Sequence, residues 1–104
     1  MRARAEIQKV IETRLKNYVS RDRTGIRREM IRLFLKIKSF TIQDVYQYLK
    51  KKFSISYHSV AAMVGIVASR LGILRVSRNK DGTTSTYEVR EQYLDIVTRI
   101  IDPV

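Results

Sequence analysis

No cysteine occurs in the 104 residues, which excludes disulfides and thiolate metal sites. A single histidine, His58, with no cluster of carboxylates around it in the text, leaves no ligand set for zinc. No metal or other cofactor is therefore expected. Proline appears once, at Pro103, so nothing interrupts a helix or strand from within. None of the four glycines builds a glycine-rich phosphate loop. The longest apolar run, around Val60 to Ala68, is broken by Gly65 and too short to span a bilayer, so no membrane is expected as a partner. Arg2, Arg4, Glu6 and Lys9 break up the first ten residues, against a signal peptide. The expectation is a soluble cytoplasmic protein, nucleoid-associated if the source is a prokaryote.

Acid is scarce as well: 10 Asp and Glu stand against 21 Lys and Arg, for a net charge of +11 and a pI near 10.4. That balance suits a nucleic-acid binder. Residues 1–38 hold 12 basic and 4 acidic groups, residues 39–72 hold 4 and 1, and residues 73–104 hold 5 and 5. The excess thus lies in the first third, with a smaller cluster in the middle. At 44% apolar residues the chain has enough material for one modest core, and a single domain over 1–104 is expected.

Periodicity divides that domain. An N-terminal helix within 1–20 places Ile7, Val10, Ile11, Leu15 and Tyr18 on one face. "SRDRTG" ends it, with Thr24 as candidate N-cap of a second helix whose stripe is Ile26, Met30, Leu33, Phe34 and Ile37. Thr41 and Asp44 resemble a capping box opening a third helix, with Ile42, Val45, Tyr46 and Leu49 inward and an end near Lys52. Ser54 or Ser56 caps a fourth, whose stripe is Val60, Val64, Val67 and Leu71, with Gly72 as its stop. The period then falls from 3.6 to 2. "ILRVSRN" and "TSTYEVR" read as strands joined by an Asp81-Gly82 turn. A C-terminal helix within 91–102 points Tyr93, Leu94, Val97 and Ile101 inward.

This order, mostly α within an α+β class, resembles a winged helix-turn-helix domain with an extra helix at each end. The resemblance covers Gly25 to Arg90, with "SFT" in the place of a short first strand. More narrowly, "YLKKKFSISYHSVAAMVGIVASRLGILR" is similar to a small, poorly characterised family of archaeal winged-helix proteins. The resemblance implies a DNA-binding or regulatory role. It places the fourth helix in a major groove, with Tyr57, His58, Ser59 and Met63 meeting base edges.

The fourth helix departs from that outline. It has Ala61, Ala62, Gly65 and Ile66 where the outline has polar or basic residues, and no Arg, Asn or Gln precedes Arg70. Its apolar face is expected to be covered by packing before it reads sequence, and Gly65 hints at a close approach. Phosphate contacts are better supported. Arg28, Arg32 and Lys36 recur at i, i+4 and i+8; Lys50, Lys51 and Lys52 close the third helix; Arg75, Arg78 and Lys80 belong to the wing.

Catalysis is not expected. Glu91 and Asp95 read as a solvated face, and His58 with Ser56 and Ser59 reads as cap chemistry with no acid to orient the imidazole. The reading is a DNA-binding protein, a transcription regulator or chromatin-associated factor, holding duplex DNA through phosphate contacts. Two alternatives stand beside it. One is a protein-interaction module docking through Ala62, Met63 and Ile66; the other is an RNA-binding protein. A homodimer zipped through the terminal helices is a further expectation.

Overall fold

The computed structural model describes residues 4–102, with side chains from residue 5 onward. The first helix was expected from Arg2, and Arg2 and Ala3 lie outside the described residues, as does Pro103. Among the described residues the chain forms five α-helices and a two-stranded antiparallel sheet, in the order α1 (Arg4–Ser20), α2 (Ile26–Lys36), α3 (Ile42–Leu49), α4 (Tyr57–Ile66), β1 (Leu74–Arg78), β2 (Ser85–Val89) and α5 (Leu94–Ile101). A π-helical turn, Val67–Leu71, extends α4, and a 3₁₀ turn, Glu91–Tyr93, precedes α5.

α1 buries Ile11, Leu15, Tyr18 and Val19. Ile7 is 39% exposed instead of inward, at the wall of a hollow it shares with Gln8, Gln92 and Tyr93. The N-terminus of α2 is capped from further back than Thr24. The Asp22 carboxylate accepts the N–H groups of Gly25 and Arg28 at 3.1 and 3.0 Å, while Thr24 Oγ1 reaches only Ile26 N at 3.3 Å. Gly25 makes that loop possible with φ of 87°, a conformation side chains disfavour. α2 buries Met30, Leu33 and Phe34 as the periodicity indicates, and Ile31 besides.

The capping box of α3 is complete. Thr41 Oγ1 accepts Asp44 N at 3.1 Å, and Asp44 Oδ2 accepts Thr41 N at 2.9 Å. The helix ends at Leu49, earlier than the sequence indicates, and the lysines occupy the turn after it. Ser56, not Ser54, caps α4 by accepting Ser59 N at 3.1 Å. Val60, Val64, Val67 and Leu71 are all buried. Gly72, at φ 71°, stops the helix by donating its N–H to Val67 O at 3.1 Å.

In the hairpin Leu74 pairs with Val89, Val76 with Tyr87 and Arg78 with Ser85. The Asp81-Gly82 turn forms inside a longer loop, where Gly82 N donates to Asn79 O and Asp81 Oδ1 accepts Thr83 N at 2.9 Å. That bond holds the Asp81 carboxyl below its ordinary pKa. Phe40 adds one pairing on the other edge of β2, exchanging N–H···O bonds of 2.9 and 2.8 Å with Tyr87. Its ring stacks on Phe34 at 4.2 Å between centroids and faces Tyr87 at 6.0 Å. The buried side chains of all these elements join into one core, to which each large apolar group contributes about 1.5–3 kcal/mol by burial.

α5 differs from expectation in one position. Tyr93, Val97 and Ile101 are buried, but Leu94 is 38% exposed and Ile96 is 3% exposed. The 3₁₀ turn ahead of α5 sets its rotation, which leaves Leu94 at the rim of a groove shared with α2 and β2.

Candidate nucleic-acid interface

The end of α3 and the start of α4 gather one set of candidate residues. Lys50 Nζ lies 5.4 Å above the Tyr46 ring, Tyr46 meets Tyr57 edge-on at 5.7 Å, and Tyr57 meets His58 edge-on at 6.4 Å. Lys50, Lys51, Tyr57, His58 and Ser59 are exposed. Among the described residues neither Lys50 nor Lys51 pairs with a carboxylate, so their charge faces solvent uncompensated. The Ser59 hydroxyl is partly engaged, accepting from Ser56 Oγ at 3.0 Å within the cap.

Two expectations about α4 change. Met63 and Ile66 do not stand outward: both are half-buried against the core, so Met63 is a poor base contact and the apolar patch shrinks to Ala62. Nor does Gly65 admit a neighbour, since a Cβ placed there meets nothing within 4 Å. The exposed strip runs His58, Ala62, Gly65, Ser69, small after the imidazole at its start. α1 approaches only the far end of α4, where Arg14 Nη1 donates to Arg70 O at 3.3 Å. Packing of Val60, Met63, Val64, Ile66 and Val67 on the core accounts for most of the uncharged surface of this stretch, and small residues occupy much of the exposed strip.

The hairpin exposes Arg75, Arg78 and Lys80. Arg75 stands 4.0 Å from Glu88 across the strands, a pair too open to neutralise it. Arg78 Nη1 reaches Gly82 O at 3.4 Å, and Lys80 has no carboxylate partner among the described residues.

Three of the candidate phosphate contacts are engaged internally. Arg28 Nη1 donates to the carbonyls of Ile100 and Ile101 at 3.2 and 2.7 Å, satisfying the C-terminal end of α5. Arg32 lies between Glu29 Oε1 at 2.8 Å and Asp102 Oδ1 at 3.0 Å. Lys52 Nζ reaches Glu29 Oε2 at 3.3 Å and lies over the Tyr48 ring. Glu29 is the hub of this network. The Tyr48 hydroxyl, followed by Arg32 and Lys52, holds its carboxyl below the ordinary glutamate range. Arg28 and Arg32 thus fasten α2 to the end of α5, and their guanidinium groups are committed there.

Folding also gathers cations that lie far apart in the sequence. Lys36, Lys38, Arg75 and Arg90 line a groove of about 640 Å³ between α2 and β2, which Glu88 and Glu91 share. Arg14, Arg21, Arg27 and Arg70 line another hollow with no acid among them. Arg14 lies on α1 and Arg21 in the turn just after it, and their place in the most basic third of the chain was the available signal.

Among the described residues no helix is long and apolar enough to cross a membrane. No solved structure matches this chain. An uncharacterized protein of Archaeoglobus fulgidus is 38% identical over 93 residues, covering 88% of this chain and 93% of the relative. The family described as a protein of unknown function, DUF2551, matches residues 15–97, and the chain belongs to that family.

Proposed function

We propose that this chain is a winged helix-turn-helix protein that binds duplex DNA mainly through backbone phosphates, as a transcription regulator or chromatin-associated factor. Two features support the fold assignment: the order of α2, α3, α4 and hairpin, and the Phe40–Tyr87 pairing in the place of a short first strand. The observation that carries the functional reading is the sorting of charge. Arg28, Arg32 and Lys52 hold carbonyls or carboxylates, whereas Lys50 and Lys51 at the motif's turn and Lys80 in the hairpin meet no carboxylate among the described residues. Arg75 and Arg78 add exposed charge in the hairpin.

In this reading the strip His58, Ala62, Gly65, Ser69 lies along a groove floor, which its small side chains allow. Tyr57, His58 and Ser59 carry what base preference exists. Without a bidentate Arg, Asn or Gln on the strip, discrimination between sequences is weak and affinity is mostly electrostatic.

Anisotropy titration of several unrelated labelled duplexes tests this. The triple variant Lys50→Gln, Lys51→Gln, Lys80→Gln is expected to weaken all of them alike. Unchanged affinity in the variant overturns the assignment of these lysines. A loss confined to one sequence overturns the phosphate-dominated mode.

A further inference from the structure

A hollow lined by arginines lies between the C-terminal half of α1, the first turn of α2 and the end of α4. It is an open hollow of about 350 Å³, lined by Arg14, Asn17, Tyr18, Arg21, Arg27 and Arg70. No Asp or Glu lines it. Among the described residues none of the four arginines forms an ion pair, although Lys16, Arg32 and Lys52 all find carboxylates elsewhere. The neighbouring acid, Asp22, is engaged in capping the N–H groups of Gly25 and Arg28. Four like charges facing one cavity repel one another, and an anion placed among them removes that penalty.

Two of the guanidinium groups are held in place. Arg27 Nη1 donates to Tyr18 O at 2.9 Å, and its guanidinium stacks 4.4 Å above the Tyr18 ring. Arg14 Nη1 donates to Arg70 O at 3.3 Å. Each guanidinium has five N–H donors, so each keeps most of its donors for a ligand while its orientation is already fixed. Arg70 projects from the π-helical turn, a local widening common at functional sites, while Leu71 next to it stays buried. A planar guanidinium fork matches the oxygens of a phosphate and can take two at once.

We infer that this arginine pocket is a phosphate-binding site. Arg14 and Arg27 are its oriented donors, Arg21 and Arg70 supply exposed charge, and Tyr18 acts as a positioning residue beneath Arg27. The phosphate belongs either to a free phosphorylated small molecule or to the backbone of a nucleic acid lying along α4, since Ile66 at the pocket wall belongs to that helix. The pocket's chemistry does not depend on the DNA-binding reading.

The test uses the full chain, titrated with pyrophosphate by calorimetry against sodium chloride of matched ionic strength. Two double variants of equal charge change are compared with the parent: Arg21→Gln with Arg70→Gln, and Lys51→Gln with Lys80→Gln. All four side chains are exposed, so both variants are expected to keep the parent's circular dichroism and melting temperature. Saturable binding by the parent, about tenfold weaker in the arginine variant and unchanged in the lysine variant, is the expected result. No saturable binding by the parent, or an equal loss in both variants, overturns the proposal.

A duplex-DNA salt series then separates the two sources. A slope shallower by about 1.8 in the arginine variant identifies backbone phosphate as the ligand. An unchanged slope beside lost pyrophosphate binding identifies a free phosphorylated ligand. A parent that takes up pyrophosphate but no duplex refutes the DNA-binding reading and leaves the pocket standing.

Discussion

Tyr48 donates its hydroxyl to Glu29 Oε2 at 2.9 Å, and Lys52 reaches the same oxygen at 3.3 Å. One carboxylate on α2 therefore restrains the end of α3, where the proposed recognition motif begins. Because these donors depress the Glu29 pKa, the stability they supply is present above the unfolded value, about 4.3. It is lost as pH falls through the lower folded value. Glu29→Gln is expected to cost about 1–2 kcal/mol near neutral pH. The gap to the parent should close below about pH 4. Urea melts across pH measure this, and a gap that widens in acid refutes the hub role.

Phe40 carries both the short pairing with β2 and the stack on Phe34, and only 1% of its surface is exposed. Phe40→Ala is expected to cost about 3–5 kcal/mol, while Phe40→Leu keeps much of the volume and costs less. Chemical denaturation reads both. A near-neutral alanine variant would show that the segment between α2 and α3 is not anchored at this ring.

Much of this architecture was legible because its signals are local. The Thr41–Asp44 box, the Val60, Val64, Val67, Leu71 stripe, the Gly72 stop and the Asp81-Gly82 turn each lie within a few residues of what they organise. What escaped depends on distance along the chain. Arg28 and Arg32 read as a free basic stripe until α5, about 70 residues away, delivers carbonyls and Asp102 to them. The arginine pocket likewise needs α1, α2 and the end of α4 to meet. Leu94 stands outward and Ile96 inward because the 3₁₀ turn before α5, which sets its rotation, has no signature in the apolar spacing.

The Tyr18 hydroxyl is buried with no hydrogen-bond partner among the described residues, and burial pushes its pKa up. Removing an unsatisfied polar group costs nothing, and leaving one buried costs about 1–3 kcal/mol. Tyr18→Phe keeps the ring under Arg27 and is expected to match or exceed the parent's melting temperature. A clear drop would mean that the hydroxyl is bonded in solution.

Ala62 is exposed at the middle of the α4 strip, so Ala62→Glu is expected to leave stability within about 0.5 kcal/mol of the parent. The new carboxylate would face the proposed groove floor and weaken duplex binding. Parallel melting and anisotropy measurements separate the two effects. Undiminished affinity would exclude α4 from the interface.

The central claim is that Lys50, Lys51, Arg75, Arg78 and Lys80 act together on a polyanion, and the salt dependence of duplex binding tests it most directly. Five neutralised phosphates give a slope of log affinity against log salt of about −4.5, steeper still where the arginine pocket joins in. A slope shallower than about −1, or no duplex binding at ~50 mM salt, contradicts the account.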